Sequence, residues 1–488
     1  MTRVLAVADS DSYLKWAAGL LDQLPSGWSS TLTVVRTPIL PSPAQVAAAV
    51  SGTRAGAHEP PVVVSARALR RIAERTRPDA VLVACTGPVV DVLVSEVLAG
   101  LVPRPVFVSG LPGISIPATE KAWLFRGACD LFVVHSGKEV EEFGRIGKEL
   151  GAAGSVGLAR LPYLDHGAAR PAAPAPLPPA APTGPGPAPG VTAAAASGAV
   201  VPTVPAGQAP APGATAAGAA AVPGVVVPAA VVPGRAAGDV VPGAVVPAEG
   251  MAPLASPAAD RVIFATQAKV PRRREERESI LLALAALADA RPDLDVVVKL
   301  RALESERQTH NERHHYERLW RSLVETGAVR PGAVRFAAGP MHEHLARASA
   351  FVTVSSTAAL EAIAGRVPLL VLSDFGVSAE MINLVFEDSG CLGTLDDLAR
   401  GEFRQPTAAW CDANYFHDPA LSDWTGRLAA LVERSHTGGL PPARPLLDGP
   451  AHVAARRRAR MRVEVPPNVL RAGYRARRRV RRYLKALG

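Results

Sequence analysis

Short apolar runs alternate with helix-spaced stretches at both ends of this chain. In the first third, Arg3–Ala8, Thr31–Thr37, Ala80–Ala84, Val106–Ser109 and Leu131–His135 are compact runs of β-forming residues. Runs of this kind predict parallel strands covered on both faces. Ser12–Leu24, Ala66–Arg77 and Val89–Ala99 carry the apolar spacing of helices between them. The second half repeats the scheme. Arg261–Thr266, Asp295–Leu300, Ala333–Ala337, Ala350–Ser355 and Pro368–Ser373 predict strands, separated by helical stretches at Arg274–Ala290, His310–Thr326, His342–Ala348 and Thr357–Gly365. Such alternation predicts two doubly wound α/β domains, with ligands bound outside the carboxyl ends of the strands.

Residues 168–258 separate the halves and are built from Ala, Pro, Gly and Val, with Arg170, Arg235, Asp239 and Glu249 as the charged exceptions. Proline breaks any helix or central strand that starts there. Gly224–Val246 is apolar, but its prolines and glycines argue against a membrane span. The expected organisation is therefore a domain at 1–167, a disordered insertion at 168–258, a second domain at 259–450 and a basic, helical tail at 451–488.

The densest chemistry lies in Phe351–Pro368, FVTVSSTAALEAIAGRVP. A buried strand runs into Ser355, Ser356 and Thr357, which can cap the helix that follows. A helix starting there aims free N–H groups into the crevice, where they suit a phosphate. Glu361, one turn on, is placed to accept from a ribose hydroxyl. The alternative is an ordinary capped helix with a solvated glutamate. Lys299 and Arg301 at one strand end, and His342 and His344 near another, are expected at the same crevice. Neither Gly-x-Gly-x-x-Gly after the first strand nor Gly-x-x-x-x-Gly-Lys-[Ser/Thr] occurs, so dinucleotide and P-loop readings lack their motifs.

The pattern strand–Ser-Ser-Thr–x-x-x-Glu–x-x-x-Gly–x-x-Pro resembles the donor-binding half of GT-B glycosyltransferases. It is similar to CDP-glycerol glycerophosphotransferases, bacterial sialyltransferases and sugar-nucleotide 2-epimerases. With RVLAVADSDSYLKWA at the N-terminus, it looks most like a bacterial family of glycosyltransferases with little characterisation. The resemblance implies two Rossmann-like domains facing across a cleft, the first holding the acceptor and the second a nucleotide-activated donor. It implies that Ser355, Ser356 and Thr357 hold the donor phosphates and Glu361 the ribose. Where the relatives have Lys-Leu-His-Pro, this chain has Lys299-Leu300-Arg301-Ala302, and Arg301 is the group left to neutralise a diphosphate.

On the acceptor side, sugar transfer with inversion needs a base for the acceptor hydroxyl. Asp11, then Asp9, are the candidates, because both follow the first strand. Alternatively, Asp11 or Ser12 caps the next helix. Asp9-Ser10-Asp11 also imitates an Asp-x-Asp metal motif, but its place at the first strand argues against a metal, and neither metal nor cofactor is expected. Gly110–Ser115 is the candidate acceptor wall, with a simple turn as the alternative, and His135 ends a strand as a cleft candidate or a structural residue.

Four isolated cysteines (Cys85, Cys129, Cys391 and Cys411) and the absence of a basic–apolar leader predict a reduced, cytoplasmic protein. The net charge is +9, yet Arg456–Lys485 alone carries thirteen Lys and Arg against Glu464. That tail is +12, so the rest of the chain sums to −3. A basic tail of this kind suits an anionic membrane surface. Nucleic acid would use the same charge, but no reader motif accompanies it. The expected function is a metal-independent glycosyltransferase, or related glycerophospho-type transferase, acting on an envelope polymer or lipid-linked acceptor at the inner membrane face. A sugar-nucleotide epimerase on the same fold, or a non-catalytic scaffold bound to membrane or nucleic acid through the tail, remain the alternatives.

Overall fold

The computed structural model describes residues 1–57, 59–162, 164, 259–301, 312–465, 469, 470 and 473. The expected insertion at 168–258 lies outside the described residues, as do 466–468, 471–472 and 474–488 of the tail.

Two parallel sheets organise the described chain. The first contains β1 (Arg3–Ala8), β2 (Ser29–Val35), β3 (Val62–Val64), β4 (Ala80–Ala84), β5 (Val106–Gly110), β6 (Leu131–Val134) and β7 (Ser155–Leu158) in the order β3-β2-β1-β4-β5-β6-β7. Its helices are α1 (Asp11–Asp22), α2 (Pro43–Val50), α3 (Ala66–Thr76), α4 (Gly87–Val92), α5 (Glu120–Leu124) and α6 (Gly137–Glu149). A π-turn at Leu93–Val97 extends α4. The second contains β8 (Arg261–Ala265), β9 (Asp295–Lys299), β10 (Arg335–Ala337), β11 (Ala348–Thr353), β12 (Leu369–Leu372) and β13 (Leu392–Gly393) in the order β10-β9-β8-β11-β12-β13. Helices α7 (Arg274–Ala290), α8 (Tyr316–Glu325), α9 (Met341–Leu345), α10 (Ala358–Ala364), α11 (Leu395–Arg400) and α12 (Ala408–Ala413) accompany it. The expected pair of doubly wound domains is present.

The period of two in β1 sorts its residues between layers. Val4, Ala6 and Ala8 pack with Leu14, Trp16 and Leu20 of α1, while Leu5 and Val7 pack with Leu69 of α3 and Val89 and Val90 of α4. Each such fully buried Val or Leu is worth about 1.5–3 kcal/mol. Gly110 lets α1 sit this close: a Cβ there would come within 2.5 Å of the Trp16 ring and 2.4 Å of the Val133 carbonyl oxygen.

The chain then returns to the first domain. On α13 (Trp424–His436), Trp424, Leu428, Leu431 and Val432 join the core under α1, and the Trp424 indole N–H donates to Gln23 at 3.0 Å. On α14 (Val453–Glu464), Ala459 and Val463 enter the core beside α4. There Arg456 meets Asp91 at 3.1 Å, and Arg460 meets Glu96 at 2.7 Å. The second domain therefore does not extend to residue 450 as the sequence suggested. Residues 424–464 complete the first domain, because their apolar stripes are buried there. Among the described residues no helix is long and apolar enough to cross a membrane. The four cysteines are free thiols, three of them buried.

Candidate functional site

In a doubly wound sheet the crevice opens where strand order reverses, because the loops after the two flanking strands leave in opposite directions. In the second sheet that point lies between β8 and β11. A cleft of about 280 Å³ occupies it, lined by Thr266 and Gln267 after β8, Ser356 and Thr357 after β11, Lys299 at the end of β9 with Arg301 just beyond, and Met341. The Gln267 side chain donates to the Ser355 carbonyl at 2.9 Å, joining the two loops. The Thr353 hydroxyl accepts from the Ser355 and Ser356 amides at 3.3 and 3.1 Å, and Ser356 Oγ accepts from the Ala358 amide at 3.2 Å. Thr357 holds the N-cap position of α10 without the side-chain capping bond that sequence assigned to the hydroxyl cluster, and Ser356, one residue earlier, accepts from the first helical amide instead. Ser355 is buried and does not line the cleft.

Lys299 is mostly withdrawn from water, and burial pulls its pKa below the usual ammonium value. Arg301 pushes in the same direction, and Glu361 opposes them. A cation depressed by burial and by a like charge gains from an incoming anion, which makes the cleft a candidate binding site.

A second groove, of about 450 Å³, adjoins the first and shares the Met341 wall. Asp11, Ser12, Lys15 and Gly19 of α1 line it, with Pro340, His342 and Glu361 from the second domain. Glu361 meets Lys15 Nζ at 3.2 Å, an ion pair between the domains. Asp11 is not the cap of α1. Ser10 holds the N-cap position and makes no side-chain capping bond, leaving Asp11 as the first helical residue on the groove.

Besides Ser355, three expected site residues line neither opening. Asp9 is 0 % exposed. Its Oδ2 accepts from the Thr86 amide at 3.0 Å and the Thr86 hydroxyl at 2.6 Å, and burial pushes its pKa up. It closes the reversal point between β1 and β4, so a proton-acceptor role in a cleft does not fit it. His135 is likewise 0 % exposed. The Trp16 indole donates to its Nε2 at 2.7 Å, leaving Nδ1 to donate to the Ala159 carbonyl at 3.0 Å, and burial pushes its pKa down to about 4. It is a neutral core histidine. His344 is buried, with Nε2 3.1 Å from the Ala338 carbonyl, and burial lowers its pKa; it lines neither opening.

Sequence reasoning missed Lys15, Gln267 and Met341. Lys15 was within reach of it, since it stands four residues after Asp11 and so on the same helix face. It also missed Glu139, which holds the junction of the domains. Glu139 accepts from the Ser115 amide at 2.9 Å, the His135 amide at 2.8 Å and the Tyr415 hydroxyl at 2.7 Å. With Glu142, which accepts from the Ala118 amide at 2.9 Å, it pins the loop after β5, whose Ile114 and Ile116 pack into the second domain's core. Burial raises the Glu139 pKa to about 7, against these bonds. A raised carboxyl pKa means that the folded state holds the proton more tightly than the unfolded state. Its stabilisation is full below the ordinary glutamate value and is lost as pH rises through about 7. The difference is on the order of 3 kcal/mol. Melting curves from pH 5 to 8 are expected to show falling stability in the wild type and a flatter profile in Glu139→Gln. Equal slopes would remove Glu139 as the source.

The family described as "Putative glycosyltransferase (DUF6716)" matches residues 4–202 and 239–431. The chain belongs to this family. No curated protein matches it. Among solved structures it is similar to S. aureus MnaA with UDP, at 11% identity over 90% of this chain and 98% of that one, TM-score 0.46. The UDP-GlcNAc 2-epimerase of Neisseria meningitidis bound to UDP-GlcNAc shares 10% identity over 90% and 100% of the two chains, TM-score 0.44. TcCGT1 in complex with UDP shares 8% over 95% and 99%, TM-score 0.40.

Proposed function

We propose that this protein transfers a sugar, or a related glycerophospho-type group, from a nucleotide-activated donor to a hydroxyl acceptor. The observation that carries this reading is the cationic cleft at the second sheet's reversal point, where Lys299, Arg301, Ser356 and Thr357 converge. A diphosphate fits that chemistry. The two cations neutralise the charge that develops on the leaving group, and the hydroxyls donate to it, which is the kind of preorganised stabilisation that lowers a transfer barrier. Glu361 then accepts from the ribose, and Lys15 is the group the ribose must share it with. Asp11, on the adjoining groove, takes the proton of the acceptor hydroxyl as its oxygen bonds to the donor's reacting centre. In sugar transfer the bond from the anomeric carbon to the diphosphate breaks and the nucleoside diphosphate keeps the electron pair. In glycerophospho transfer the P–O bond within the diphosphate bridge breaks and a nucleoside monophosphate keeps it.

Family membership supports transfer over epimerisation on a similar fold. The acceptor is read as a cell-envelope or lipid-linked molecule, met at the cytoplasmic membrane face through Arg456–Lys485. In the described part of that segment, Arg457, Arg458 and Arg462 are exposed, while Arg456 and Arg460 hold the helix to the first domain.

A thermal-shift panel of UDP, CDP, CMP, GDP and dTDP tests the donor site. One base should raise the melting temperature, and Glu361→Ala should remove most of that rise. No shift with any nucleotide would overturn the reading.

A further inference from the structure

The groove along α1 has a chemical character that narrows its ligand. Asp11, Lys15 and Gly19 recur every fourth residue, so they mark one stripe of the helix about 12 Å long. The groove also holds His342 and Glu361 from the second domain, the small apolar Gly19, Ala48 and Pro162, and uncharged polar side chains such as Gln45 and Thr53. Gly19 is required there, because a Cβ would come within 2.2 Å of Pro162 Cβ. The ionic balance is two carboxylates, Asp11 and Glu361, against the one ammonium of Lys15, which is already paired with Glu361 at 3.2 Å. A phosphate-bearing acceptor would bring further negative charge beside Asp11, and like charges at short range oppose binding. An acceptor that is neutral meets no such penalty, and an apolar body gains by covering the apolar surface the groove exposes, Ala48 above all.

We infer that this groove takes a neutral amphipathic alcohol, its hydroxyl at Asp11 and its apolar body against Ala48. The inference rests on the transferase reading and names its acceptor class, setting neutral lipid-like alcohols above anionic wall polymers.

Calorimetry on the full chain tests it, with n-octyl β-glucoside as the neutral probe and n-octyl phosphate as the anionic one, both kept below micelle formation. Ala48 is exposed in the groove, so Ala48→Trp fills the space without entering the core. The glucoside should bind the wild type at least tenfold more tightly than it binds Ala48→Trp, and at least tenfold more tightly than the phosphate binds. Equal binding to the variant, tighter or equal binding of the phosphate, or no binding of the glucoside would each overturn the inference. The nucleotide panel, run on the same two proteins, separates the two readings. A retained nucleotide shift with no glucoside binding sinks the acceptor class alone. Glucoside binding that Ala48→Trp removes, with no nucleotide shift in either protein, supports the groove and sinks the donor site.

Discussion

Replacing Asp11 with asparagine should slow group transfer about 10²- to 10⁴-fold, the usual worth of a positioned proton acceptor. Asparagine keeps the shape and one hydrogen-bonding oxygen but cannot take a proton. Asp11 lines the groove rather than the diphosphate cleft, so donor affinity should not follow the rate. Single-turnover product formation, read beside the nucleotide thermal shift, separates the two quantities. A large loss of rate with an unchanged shift is the expected result. A full rate in Asp11→Asn would remove the base assignment and leave His342, on the same groove, as the next group to test. Asp9→Asn is the informative contrast. Its carboxylate is sealed against Thr86, so any effect on rate should travel with a loss of stability.

Arg126→Met should strongly destabilise the first domain, by about 3–5 kcal/mol, the upper end of the effects that come from breaking a buried hydrogen-bond network. The guanidinium is 2 % exposed. It donates to Ser109 Oγ at 3.2 Å, to the carbonyls of Gly110 and Ala122 at 3.1 Å each, and to the Tyr13 hydroxyl at 2.9 Å. Methionine fills part of the volume but leaves those acceptors dry and unpaired, each a penalty of about 1–3 kcal/mol. It also removes the positive charge that lowers the Asp9 pKa, so that pKa would move further up. At about 2–4 °C per kcal/mol for domains of this size, the melting temperature should fall by roughly 10 °C. A shift within a degree or two of wild type would show that the network relaxes around the loss.

Much of the fold was legible because strands buried on both faces appear as unbroken apolar runs. Arg3–Ala8, Ala80–Ala84 and Asp295–Lys299 were found almost to the residue. Short strands were missed. Val62–Val64 and Leu392–Gly393 offer three and two residues, too few to show a period. His342–Ala348 was read as a helix, but its last residue opens β11, since histidine, glutamate and leucine continue a helical pattern past the point where the sheet takes the chain. The fate of Asp9 was also within reach. It continues the alternate positions Leu5 and Val7, which face the α3 and α4 layer, and so it ends beneath the start of α4 at Thr86.

By itself, the sequence determined the two α/β halves, the strand-end cations and the hydroxyl turn of the second half. Each of these depends on neighbours along the chain, through propensity, period and capping. Tertiary structure alone decided which strand ends form an open crevice. The order of strands puts the reversal between β8 and β11 in one sheet, left open, and between β1 and β4 in the other, closed by Asp9 and Thr86. It alone returned α13 and α14 to the first domain, and it alone set Lys15 against Glu361, 346 residues away. An ion pair at that separation leaves no local trace, because the free energy that forms it comes from the packing of whole domains.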